Sequence, residues 1–361
     1  MKIPYLLAFP DISSQKKKTL EDMCDDLGVS RKSKSEELAN AIWQELTNSD
    51  NQKEKLEKYS NLLLSTRGSV TWFETLDQTS LSGLKELLIS DEYNPFEKRK
   101  EFSNTELNST PKLFAASEIS EDEYLLRFVF RSGSMPIYSM NGKEDIPRLT
   151  FATVYINEKE NVMEVRASQT VTHKVAQEIT KYLIDGGKEV KISKKDILDE
   201  YSDIGNFANA LGGKFKEAID VPEQGTDEMT DVQISAIASI LKSIDKALYD
   251  DEYEDLQTAL VEAQSSLIEE YPNFSFLGLV LTGLGKVNLG SSIKDLRESP
   301  LYESLSPYLN TKSGYIDYTI PVNGVETEGS IQVGLATKTI NFSKNTTEEM
   351  ISFVRNKVYN I

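Results

Sequence analysis

Two stretches of this chain change the period of their apolar residues in the same way, and that repeated change constrains the fold more than any other feature. In the first, Tyr124–Arg131 is aliphatic and aromatic, and Leu149–Ile156 and Val162–Ala167 alternate across the NEKEN segment 157–161. Spacing then becomes helical through Val171, Val175, Ile179 and Leu183 and stops at Gly186-Gly187. In the second, Tyr315–Val322 and Val325–Val333 flank Asn323-Gly324, a third strand follows at Ala336–Phe342, and Asn345 with Glu348 opens a helix carrying Ile351, Val354 and Val358. Period-two alternation predicts strands, Asn-Gly a tight hairpin, and the later spacing an amphipathic helix. Each stretch is therefore expected to form antiparallel strands closed by one helix. A single such unit leaves a strand edge open, so the two are expected to share one sheet or to dock edge to edge. Between the first strands, Gly133–Pro147 reads as a turn-rich excursion.

The expected class is α+β: a small N-terminal helical domain, then two antiparallel β-plus-helix units separated by a helical insertion. The boundaries fall at 1–50 (helical module), 51–112 (connecting region), 113–195 (first unit), 196–290 (acidic helical block) and 291–361 (second unit). In the connecting region Ser69–Leu76 predicts a strand and Leu81–Ile89 a short helix, whereas 90–112, with Pro95 and Pro111, predicts a linker or long surface loop. Residues 229–248 and 252–270 predict an antiparallel helical pair, and Phe274–Leu289 a strand-like segment.

Charge limits the partners. The chain carries 58 acidic and 40 basic residues, a net of −18, which argues against broad attraction to phosphate. Residues 223–270 alone hold thirteen acidic and two basic side chains, a net of −11, leaving −7 elsewhere. Cys24 is the only cysteine, so no intramolecular disulfide forms, and no run approaches the ~18 apolar residues of a membrane span. The start, MKIPYLLAFPDISS, is interrupted by Pro4, Pro10 and Asp11 and lacks a signal-peptide cleavage pattern. A cytoplasmic location, or a nuclear one in a eukaryote, is expected, with no membrane association.

No catalytic constellation emerges. His173 is the only histidine, which excludes histidine triads and multi-histidine metal sites. Cys24 has acidic neighbours that disfavour a thiolate. Gly283-Leu-Gly-Lys286 fails as a phosphate loop because Val280 and Val287 stand where glycine and a hydroxyl residue belong. Glu189-Val-Lys191 with Asp185 has the spacing of some metal-dependent nucleases, but Asp185 does not come from its own preceding strand. Neither a cofactor nor a metal is called for, and the acidic helices of 229–270 read first as the wet face of an amphipathic pair and otherwise as a DNA mimic or a surface for a basic protein partner.

Residues 15–47 predict two short helices. Leu20, Met23 and Leu27 precede a terminating Gly28, and Ser33 and Glu36 have capping-box spacing before Leu38, Ile42 and Leu46. The segment 19–46 resembles the SAP family of small helical modules: Leu20, Met23 and Leu27 match its first helix, Gly28-Val29 its Gly-Leu turn, Glu37-Leu38 its second-helix pair, and Ile42 its last leucine. Ser33 replaces the family's loop glycine, and Ser35 stands at its usual lysine, with Lys34 one position early. The resemblance implies DNA contact through Arg31, Lys32 and Lys34. The layout, with SVTWFETL and YLLRFVF strands, also loosely resembles the centromere-protein CENP-N family. The expectation is a non-enzymatic, nucleic-acid-associated adaptor that touches DNA through its N-terminal module, while the β-α units hold a protein partner or a second copy. The alternatives are a scaffold that binds only protein and a metal-dependent nuclease.

Overall fold

The computed structural model describes residues 6–31, 34–48, 54–63, 68–90, 92–103, 105–140, 142–222, 287–290, 295–306, 309–322, 324–342 and 346–361, with isolated residues between 235 and 261. The chain divides into two compact units. One comprises Met1–Ala218, Gly290–Leu296 and Lys312–Ile361, and the other Ile219–Leu289 and Arg297–Thr311. In the second unit the described residues include β8 (Val287–Gly290) and the short helix α8 (Pro300–Leu305), with a proline in its first turn where a missing N–H costs nothing.

The first unit opens with α1 (Phe9–Ser13), α2 (Lys17–Leu27) and α3 (Ser35–Asn48). Helix α2 ends because Gly28 adopts φ 75°, a left-handed conformation without penalty for glycine. A 3-10 turn (Glu54–Tyr59) and α4 (Ser60–Leu63) lead to β1 (Ser69–Thr75), α5 (Leu84–Leu88) and β2 (Lys112–Glu118). Then come β3 (Glu123–Ser139), β4 (Gly142–Asn157), β5 (Val162–Arg166), α6 (Gln169–Asp185), β6 (Ile192–Lys194), α7 (Ile204–Ala210) and β7 (Lys214–Pro222). The chain closes with β9 (Leu309–Val322), β10 (Val325–Gly334), β11 (Thr339–Phe342) and α9 (Glu348–Tyr359). The fold class is α+β. Residues 214–222 are strand where helical spacing was expected, and the Gly133–Pro147 excursion is a continuous two-stranded ribbon. The acidic helical pair at 229–270 lies almost entirely outside the described residues, as does Phe274–Lys286.

The sheet runs β2-β3-β4-β5-β1-β11-β10-β9-β7, with β6 beside β1. Strand β1 is antiparallel to β5 on one side and to β11 on the other, so the β3-β4-β5 and β9-β10-β11 meanders extend from it in opposite directions with their last strands parallel in sense. A half-turn about an axis along β1 relates the two, and such a rotation exchanges the faces of the sheet. The closing helices obey it. Helix α6 packs Val175, Ala176, Ile179 and Leu183 on the face of Phe73, Tyr124, Leu126, Phe128 and Met163. Helix α9 lies on the other face, where Arg355 stacks over Tyr155 and pairs with Glu164. In both units the three strands run in sequence order as an antiparallel meander, and the rotation that relates the meanders also relates the faces their helices cover. Gly329 is required here, because a Cβ would meet the Tyr318 ring at 2.5 Å and Met350 at 2.8 Å.

The α9 face of the first meander is also covered by the N-terminal helices. Leu6, Leu7, Ile12, Leu20, Met23, Leu38 and Ile42 share one core with Phe114, Ala115, Leu125, Val129, Tyr155 and Val162. The boundary expected near residue 50 therefore runs through a shared core. A buried cation fastens the layers: Arg127 donates to the Leu6 carbonyl at 3.1 Å, to Thr153 Oγ1 and to Asp11 Oδ2 at 2.6 Å. Burial pushes the Asp11 carboxyl up, and the Arg127 guanidinium opposes that shift.

Candidate functional site

The loop between α2 and α3 carries the residues expected to meet DNA. Arg31 and Lys34 are exposed, and Lys32 lies outside the described residues. Arg31 Nη1 sits 2.8 Å from Asp25 Oδ2 in a surface ion pair. The backbone N–H of Lys34 donates to Glu37 Oε2 at 3.4 Å, and Glu36 and Glu37 occupy the first turn of α3. These carboxylates occupy the start of the helix, where a phosphate would otherwise collect on free N–H groups. Asp26 accepts from Tyr59 Oη at 2.5 Å and pairs with Lys58, and those two hydrogen bonds hold its carboxyl below the ordinary range. The loop is thus a charge-balanced surface, with its cation partly committed to Asp25.

The other singled-out residues scatter. Cys24 is buried, and burial first, then Asp25 and Glu21, push its thiol up, away from nucleophilic use. His173 is exposed on α6. Lys191 Nζ is held by Asp77 Oδ2 at 2.9 Å, and Glu189 and Asp185 are exposed. Among the described residues no three His, Cys, Asp or Glu side chains group so as to hold a metal ion. Gly283–Lys286 lies outside the described residues.

A buried network joins the two meanders at β1. Glu164, 0% exposed, accepts from Trp72 Nε1 at 2.9 Å and from Arg166 Nε at 2.7 Å. Arg166 forks onto both Glu348 oxygens at 2.6 and 2.7 Å. Burial alone would lower Arg166, but Glu348 and Glu164 outweigh it and hold the guanidinium charged. This cluster is sealed under α9, so its chemistry is adhesion between elements.

The feature that sequence reading missed is the distal half of the β3–β4 hairpin. Strand β2 pairs with β3 only over Tyr124–Val129, and β5 pairs with β4 only over Thr153–Asn157, yet β3 and β4 remain paired out to Ser139↔Gly142. A shift in register between Arg131 and Gly133 marks where this ribbon leaves the sheet. Beyond it Met135, Ile137, Tyr138, Met140 and Ile146 are exposed, Tyr138 by 75% and Met140 fully, and Leu149 is exposed at the base of the ribbon. Met135 stands opposite Ile146, so one face carries Met135, Ile137 and Ile146 together. The alternating apolar residues were the available signal, but Gly133, Pro136, Gly142 and Pro147 disguised it as turn. A search of protein-family models finds none that matches this chain, and no curated protein matches it.

Proposed function

We propose that this protein is a non-enzymatic interaction scaffold whose docking element is the β3–β4 arm. The observation that carries the reading is the cluster of exposed Met, Ile and Tyr side chains on an unsupported ribbon, since apolar patches of this kind mark interaction surfaces. A two-stranded ribbon is marginal by itself in water and gains order from whatever covers it. Affinity purification of the full chain and of a Tyr138→Ser/Met140→Ser variant tests this. Co-purifying proteins lost with the variant support the arm, and an unchanged set sinks it.

Contact with DNA through Arg31, Lys32 and Lys34 is the second reading, favoured by the exposure of Arg31 and Lys34 beside a helix start. A salt-titrated anisotropy assay with and without divalent cation separates the readings. Under the second, charge reversal of all three residues weakens binding and flattens the salt slope by about one unit per lost phosphate contact. Cation-dependent cleavage would instead favour a nuclease.

A further inference from the structure

We infer that Met135 and Met140 form an oxidation site through which a peroxide turns the apolar surface of the arm polar, and reduction turns it back. Its use as a switch of docking rests on the arm being the docking element. Thioethers oxidise where an oxidant can reach them, and the methionines among the described residues fall into two groups. Met23, Met163 and Met350 are at most 1% exposed. Met135 is 58% exposed and Met140 fully. The topology causes the difference: β2 stops pairing at Val129 and β5 at Thr153, so neither neighbour extends beside the ribbon that carries both residues. The one thiol does not compete. A thiolate would meet peroxide first, but Cys24 is fully buried, and burial with its acidic neighbours keeps it protonated.

The reaction needs only the peroxide. The sulfur lone pair attacks one peroxide oxygen, and an S–O bond forms as the O–O bond breaks. The departing hydroxide takes the proton of the transferred oxygen and leaves as water. Sulfur loses two electrons and the peroxide gains them. The product is a sulfoxide, a polar and chiral group that methionine sulfoxide reductases return to the thioether. Position on the ribbon sets the effect. Met135 stands opposite Ile146 and shares its face with Ile137, so one added oxygen interrupts the apolar patch. A partner that covers this face must bury the sulfoxide oxygen. Where no donor meets that oxygen, binding weakens by roughly five- to a hundredfold.

Peptide mass spectrometry of the folded full chain, sampled through a hydrogen peroxide titration, tests the site. Met135 and Met140 are expected to take up oxygen at least about tenfold faster than Met23, Met163 and Met350. Equal rates overturn the inference. Retention on a hydrophobic-interaction column reads the change of surface without a partner. Oxidised wild type is expected to elute earlier and to recover its retention after treatment with methionine sulfoxide reductases. A Met135→Leu/Met140→Leu variant, folded by circular dichroism, should elute alike before and after peroxide. A wild type that does not shift, or a variant that shifts as far, overturns the inference. Affinity purification on immobilised full chain, with and without prior oxidation, then separates the switch from the docking reading. Proteins lost from oxidised wild type but kept by the oxidised variant support both. Proteins kept by oxidised wild type, yet lost with Tyr138→Ser/Met140→Ser, overturn the switch and leave the arm as the contact. Capture of nothing before oxidation overturns the docking reading, whereas the oxidation rates and the column shift still decide the site.

Discussion

The β3-β4-β5 meander with α6 and the β9-β10-β11 meander with α9 have the same topology and opposite surroundings. In the first, residues 124–130 are buried at every position, because α5 and α6 cover one face and the N-terminal helices the other. In the second, Ile316, Tyr318 and Ile320 are buried under α9 while Asp317, Thr319 and Pro321 are half-exposed or exposed. A strand covered on both faces reads as a continuous apolar run, and one covered on a single face alternates. The N-terminal helices thus serve as a second cover for one half of a pseudo-symmetric sheet.

The largest test of that contrast is removal of residues 1–50. It would bare Phe114, Leu125, Val129, Tyr155 and Val162 together, so the truncated chain is expected to aggregate or fail to fold. A protease nick between 47 and 60, by contrast, should leave the helices bound through the shared core, which size-exclusion chromatography of nicked protein detects. A soluble, folded truncation product would break the comparison.

Next in size is Arg127→Met. It keeps the length of the side chain but leaves Asp11 buried beside the Ala8 N–H alone, and breaking a buried pair in this way costs about 3–5 kcal/mol. Urea unfolding midpoints measure it, and a loss below about 1 kcal/mol would mean that the layers are held by apolar packing alone.

Leu125→Ala and Thr319→Ala then compare the two non-equivalent faces. Leu125 is fully buried and should cost about 2–5 kcal/mol. Thr319 is exposed and should stay within about 0.5 kcal/mol of wild type. Equal effects would show that the outer face of the second meander is covered in solution.

The same two regions explain what the sequence disclosed. The second meander was legible almost strand by strand, because one-sided burial imprints alternation and an Asn-Gly pair in the sequence signals the turn between Val322 and Val325. Its helix was placed two residues early. Thr347, rather than Asn345, caps it by accepting from the Met350 N–H at 3.3 Å. Strand β2 was missed because its Leu113–Ala116 run follows a proline- and asparagine-rich loop and has no period of its own. Strand β7 was missed because Phe215, Ala218 and Asp220 are buried in a polar stretch that lies beside helical spacing. The Arg31–Asp25 pair could not be foreseen from linear order, since it forms across the turn that Gly28 makes.

The smallest effect separates two buried tyrosines. Tyr124 of the first meander donates to Glu158 Oε1 at 2.8 Å, whereas the Tyr318 hydroxyl of the second has no hydrogen-bond partner among the described residues and rests in the core with its ring stacked on Phe353. Tyr124→Phe removes one hydrogen bond to a carboxylate that keeps the Gly83 and Lys85 N–H groups, and should cost about 1–3 kcal/mol. Tyr318→Phe removes a desolvated hydroxyl that gains nothing in return, so stability near neutral pH should change by less than about 1 kcal/mol and in the stabilising direction. Alkaline unfolding gives an independent reading. Burial raises the pKa of both phenols, and the charge and hydrogen bond of Glu158 raise Tyr124 further. A phenol that holds its proton more tightly when folded contributes stability fully below the unfolded value near 10, and loses it as pH rises, because the unfolded chain ionises first. Tyr318→Phe should therefore flatten the fall of the urea midpoint above pH 10, while below it the small difference from wild type stays constant with pH. A steeper alkaline fall, or a clear loss at neutral pH, would show that the Tyr318 hydroxyl finds a partner in solution and that the two halves bury their polar groups alike.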